Sequence, residues 1–108
     1  VAMEMLFTGR WIDAAEAEQW GLVNEVLATD KLAARVQEVA RQLASGPPLV
    51  FAAIKEIARE AEAMTFQNAM NNITKRQFPS VDVLYDSEDN MEGALAFTEK
   101  RDPVWKGK

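Results

Sequence analysis

The sequence predicts a mainly α fold with one short edge strand. Apolar residues recur at the helical period of 3.6 over most of the chain, and residues suited to N-capping stand just ahead of those runs. Only residues 22–27, LVNEVL, have the composition of a strand, and a strand that short makes no sheet by itself.

Taken in order, Met3, Leu6 and Phe7 share one helical face, and Thr8-Gly9 offers a left-handed exit that glycine makes without a Cβ penalty. Asp13 opens the next helix as N-cap with Glu16 at the third helical position, the arrangement of a capping box, and Gly21 ends it. Residues 22–27 alternate only loosely. They read either as an edge strand pairing with sequence outside the chain or as an extended connector, and the edge strand is the expectation. Thr29 or Asp30 caps a helix whose apolar stripe is Leu32, Val36, Val39, Ala40 and Leu43. Ser45-Gly46-Pro47-Pro48 ends it and starts another, with Val50, Ile54, Ile57, Ala58 and Ala61 at helical spacing, so the two are expected to form a hairpin.

Thr65 caps a further helix with Phe66, Ala69, Met70 and Ile73 aligned, and Phe78-Pro79 is expected to break it before an irregular piece over residues 80–86. Ser87 then caps the last helix, where Glu88 and Asp89 suit the positive end of the dipole. Met91, Ala94, Leu95 and Thr98 should form its buried stripe, Lys100 and Arg101 its last turn, and Asp102-Pro103 its stop.

The chain has 108 residues, with 12 basic and 17 acidic side chains and a formal charge of −5, which argues against nucleic acid or an acidic membrane surface as partner. The balance is uneven: Lys100, Arg101, Lys106 and Lys108 stand against Asp102 alone, so only the tail is hospitable to a polyanion. Cysteine and histidine are both absent, which removes disulfides, imidazole bases and most zinc chemistry; no metal site is expected. No apolar run reaches the ~18 residues of a membrane span, and the cytoplasm is the default location. The chain opens Val-Ala-Met-Glu-Met and its first apolar run enters mid-pattern without a cap, so it reads as a C-terminal fragment of something longer.

Carboxylate pairs recur at i, i+4. Glu56 and Glu60 lie opposite the apolar stripe and are expected on a solvated surface, while Glu92 is expected to pair with Arg101 or with a neighbouring subunit. The run Asp86-Ser87-Glu88-Asp89-Asn90 lacks the spacing and the sixth-position glycine of a calcium loop, and the dispersed glycines form no phosphate loop. Trp11, Trp20 and Trp105 suit packing better than a ligand cage, with a subunit interface preferred for Trp105. Phe97 and Lys100 share one face beside Arg101; spacing alone favours a core aromatic and an ordinary helix-end cation.

The run EGALAFTEKRDPVWKGK, with LFTGRWIDAAEAEQWGLVNEVL upstream, closely resembles the enoyl-CoA hydratase/isomerase (crotonase) family and extends the resemblance over the whole chain. It implies that the chain is the helical C-terminal region of a crotonase-type ββα spiral fold, with residues 1–27 at the edge of the spiral core and residues 28–108 packing subunits into a homotrimer or a hexamer built as a dimer of trimers. It implies an acyl-CoA thioester as substrate, with coenzyme A bound only as part of it and no separate cofactor. Phe97 and Lys100, in the motif AF-x-EK, would line the pocket for the adenine end of coenzyme A, reversing the odds that spacing gives. The reaction implied is reversible addition of water to a 2-enoyl thioester, with oxyanion donors and glutamates outside these residues, so no residue here is expected to be catalytic. A purely oligomerising module, or another crotonase-fold reaction such as isomerisation, hydrolysis or decarboxylation, stays open.

Overall fold

Short polar caps and prolines set most of the helix starts. In the computed structural model, which describes residues 1–108, the helices are α1 (Ala2–Thr8), α2 (Ala14–Gln19), α3 (Thr29–Ala44), α4 (Pro48–Ala61), α5 (Phe66–Thr74), α6 (Pro79–Tyr85) and α7 (Glu88–Glu99). Asp13, Thr65 and Ser87 each accept a backbone N–H of the first turn, from Glu16 at 2.8 Å, Asn68 at 3.2 Å and Asn90 at 3.0 Å. Pro48 and Pro79 begin α4 and α6, where a missing N–H leaves no hydrogen bond unmade. Pro79 therefore starts a helix in the stretch where an irregular piece is expected after it; the same residue that cannot continue one helix is preorganised to open the next.

The contacts divide the chain into two units, Val1–Val39 and Ala40–Lys108, with α3 running across the division. In the first, Arg10 bridges Glu4 at 2.8 Å and Glu16 at 2.8 Å, tying α1 to α2. Glu16 thus turns to Arg10 and leaves the capping box half made. The expected edge strand over residues 22–27 does not form. Leu22 N–H returns to Ala17 O at 2.8 Å and Val26 N–H donates to the Glu18 carboxylate at 3.0 Å, so backbone donors that a strand would pair are held by α2. No residue of this unit is buried: Leu6, Phe7 and Trp11 are 78%, 80% and 96% exposed.

In the second unit α4 packs on α6 and α5, and α6 on α7. Ala53, Phe78 and Val81 form the core, flanked by Ile57, Met64, Ile73 and Leu84. The expected stripes are only partly inward. Ile54, Phe66 and Met70 are exposed, as are Leu32, Val36 and Leu43 on α3. Glu56 is not simply solvated: it is half-buried and accepts the Ser80 N–H at 2.8 Å and the Ser80 hydroxyl, capping α6 from a neighbouring helix. Arg76, at φ 56°, closes α5 in the left-handed region and turns its guanidinium to Asp86 at 2.6 Å, the Asp82 carbonyl at 2.8 Å and the Tyr85 ring. Its Nε lies 3.0 Å from Asp82 Oδ1 without aligning for a hydrogen bond.

Candidate functional site

Helix α7 carries its acids at the start and small residues inward, and the tail folds back along it. Its inward residues are Asp89 and Ala96, both buried, with half-buried Gly93 between them. The expected stripe is displaced: Met91 and Leu95 are 72% and 50% exposed, and the tail returns over the face that carries Asp89 and Gly93. Trp105 lies over Gly93, where an added Cβ would meet its ring at 3.3 Å, and the half-buried ring thus packs in part within its own chain.

Three carboxylates hold the tail. Asp89, 3% exposed, accepts Lys106 N–H at 2.8 Å and Gly107 N–H at 2.9 Å, while its own N–H donates to Lys108 O at 3.2 Å. Glu92 takes both terminal nitrogens of Arg101, at 2.6 and 2.9 Å, and Val104 N–H at 2.8 Å. The Arg101 guanidinium first, then the Val104 N–H, hold the Glu92 carboxyl down to about 2. Glu88 lies 3.3 Å from Lys106 Nζ and 3.6 Å from Lys108 Nζ, and Lys106 chiefly depresses its carboxyl. Between helix and tail runs a groove of about 440 Å³, with Met91, Leu95 and Val104 on its walls and Arg101 and Lys106 at its edges.

At the turn between them stands Lys100. Helix α7 ends at Glu99, so Lys100 and Arg101 follow the last turn and do not form it as expected. Lys100 adopts φ 55°, ψ 43°, its N–H meeting Phe97 O at 3.4 Å, while Arg101 N–H reaches Ala96 O at 3.1 Å. This is a Schellman closure, in which the left-handed position ordinarily falls to glycine and costs another residue about 1–2 kcal/mol. Arg76 offsets the same cost with its ion pairs. Lys100 makes no ion pair or side-chain hydrogen bond within the chain, and Phe97, one turn before it, is 87% exposed.

The two candidate binding residues are thus adjacent and both turned to solvent, and Phe97 is not the core aromatic that spacing favours. Glu92 pairs with Arg101, one of its two expected partners. Asp89 is the residue sequence reasoning misses: the dipole explains an acid there, and nothing local signals that the tail returns to bury it. The one hint is Pro103, which keeps the chain from resuming the helix after it ends at Glu99.

A family model described as enoyl-CoA hydratase/isomerase matches residues 1–108. Carnitinyl-CoA dehydratase of Escherichia coli K12 is 44% identical over 111 residues, covering 100% of this chain and 41% of that protein. Among solved structures, an enoyl-CoA hydratase from Bacillus anthracis superposes with a TM-score of 0.84 at 31% identity, covering 99% of this chain and 40% of the other. An enoyl-CoA hydratase subunit from Geobacillus kaustophilus HTA426 gives 0.86 at 38% identity, with 99% and 40% covered. The chain therefore spans about 41% of the length of the curated relatives it matches. With its whole length matched in sequence and its helices superposing on members of known structure, the chain belongs to the enoyl-CoA hydratase/isomerase family.

Proposed function

We propose that this chain is part of an enzyme that adds or removes water across the α,β double bond of a coenzyme A thioester, and that its own share of the task is to bind the nucleotide end of coenzyme A through Phe97 and Lys100. The observation that carries this is the left-handed Lys100, whose ammonium has no partner, beside an exposed aromatic ring. A phenyl face stacks on a purine, and an ammonium reaches phosphate oxygens. The names of the relatives, a dehydratase and hydratases, favour hydration over the family's other reactions. In such a reaction two backbone N–H groups hold the thioester oxygen as an enolate-like anion while glutamates move the proton and water; we assign those groups to sequence outside these residues, so no residue here is catalytic.

The exposed apolar side chains of α3, α5 and α7, Val36, Phe66 and Leu95 among them, support a role in packing against further protein surface; on the family resemblance we further propose a trimer or a dimer of trimers, in the cytoplasm, within fatty acid or related acyl-CoA metabolism. In the whole enzyme, Lys100→Ala removes one charge-assisted contact worth about 1.5–3 kcal/mol, a roughly tenfold to hundredfold rise in KM with kcat nearly unchanged. A substrate truncated to pantetheine should not respond. If kcat falls equally for both substrates, Lys100 supports the architecture and the nucleotide reading is wrong.

A further inference from the structure

We infer that Glu92 and Arg101 are positioning residues for coenzyme A recognition: their ion pair holds the chain in the left-handed turn that presents Lys100 beside Phe97. The inference rests on the reading of Phe97 and Lys100 as the nucleotide contacts. It adds two residues to which nothing so far assigns a part in binding.

Beyond the two backbone hydrogen bonds of the helix closure, nothing in the Lys100 side chain favours φ 55°. Its side chain makes no contact that would offset the conformation, unlike Arg76. What fixes the turn lies on either side. Upstream, α7 is anchored by the Ser87 cap and buried Ala96. Downstream, Arg101 is drawn back along the helix to Glu92, nine residues earlier, by two hydrogen bonds of 2.6 and 2.9 Å. Glu92 also takes Val104 N–H at 2.8 Å, so one carboxylate fixes both Arg101 and the start of the returning tail. Glu99 adds a second acid on Arg101 Nε at 2.6 Å, which leaves the guanidinium occupied on both edges. Released from Glu92, the left-handed turn would rest on its two closing backbone hydrogen bonds alone, residues 100–102 would sample the right-handed region, and the Lys100 side chain would lose its fixed direction. The chemistry of the clamp also explains why an arginine follows the lysine: only the guanidinium presents two parallel donors to one carboxylate.

The test compares Glu92→Gln, Arg101→Gln and Lys100→Ala, singly and paired, in the whole enzyme, with a coenzyme A thioester and its pantetheine-truncated form. Glu92→Gln keeps an acceptor for Val104 N–H and nearly the same shape, so the fold is spared. Each clamp variant should raise KM for the coenzyme A thioester about threefold to tenfold, a part of the Lys100 effect, with kcat and the pantetheine kinetics unchanged. In the Lys100→Ala background neither should raise KM further, since there is no ammonium left to place. An additive rise in that background overturns the inference, as does a kcat loss shared by both substrates. If Arg101→Gln weakens binding while Glu92→Gln does not, Arg101 is itself a phosphate ligand and the clamp is not the device. If Lys100→Ala alone changes nothing, the nucleotide reading falls and takes the clamp with it; if Lys100→Ala raises KM and neither clamp variant does, only the clamp falls.

Discussion

Replacing Asp89 by asparagine should free the tail without unfolding the helices. Both carboxylate oxygens are committed, one to Lys106 N–H at 2.8 Å and one to Gly107 N–H at 2.9 Å, in a residue 3% exposed. Asparagine brings one oxygen and one NH₂, and the NH₂ would face a donor. One charge-assisted bond worth about 1.5–3 kcal/mol is lost, and the other drops to a neutral bond, costing roughly 1 kcal/mol more, so the tail loses about 2.5–4 kcal/mol. That is a ceiling, since the tail can peel away and give both donors to water. Hydrogen exchange reads the effect residue by residue. At tenfold per 1.4 kcal/mol, the Lys106 and Gly107 amides should exchange roughly sixty- to seven-hundredfold faster, up to the unprotected rate, while amides around Ile57 on α4 keep theirs. The reasoning is refuted if Lys106 and Gly107 stay within about threefold of the parent, or if the whole second unit accelerates with them.

Lys100→Gly should stabilise the turn by about 1 kcal/mol through relief of the left-handed lysine, visible as slower exchange at Arg101, while abolishing whatever the ammonium binds. Acid should open the clamp. The Glu92 carboxyl sits at about 2 in place of its ordinary 4.5, so the clamped form holds fewer protons than the open one; its contribution is complete above about 4.5 and is lost as pH falls through about 2. Trp105 fluorescence, reporting the ring over Gly93, should change across that window and hold steady from pH 5 to pH 8. Gly46→Ala places a Cβ 2.7 Å from Phe51 Cε2, so the ring must shift, and the urea midpoint should drop by the equivalent of about 1–3 kcal/mol.

Features that depend on a few neighbouring residues were legible. Asp13, Thr65 and Ser87 are read correctly as caps because the bond each makes spans three residues. Family and helical class follow from pattern. The failures are tertiary. Pro79 reads equally as a stop and a start, and the Glu56 carboxylate that caps α6 lies 24 residues upstream. Met91 and Leu95 have the period of a buried face, yet period tells only that a face is apolar, and the tail covers α7 at Asp89 and Gly93 instead. The site was half legible: the motif names Phe97 and Lys100, but the left-handed turn and its clamp depend on where residues 101–107 go.

The absence of any buried side chain in Val1–Val39 also bears on how the chain responds to temperature. The heat capacity increment of unfolding measures apolar surface newly wetted, and side chains such as Leu6, Phe7 and Trp11 are wet already. A calorimeter should therefore see chiefly the second unit, Ala40–Lys108, with an increment of about 0.8–1.0 kcal/mol/K where a chain of this length would ordinarily give about 1.3–1.6. A smaller increment means less curvature in free energy against temperature, so the modest core around Phe78 gives a low but broad stability maximum in place of a sharp one.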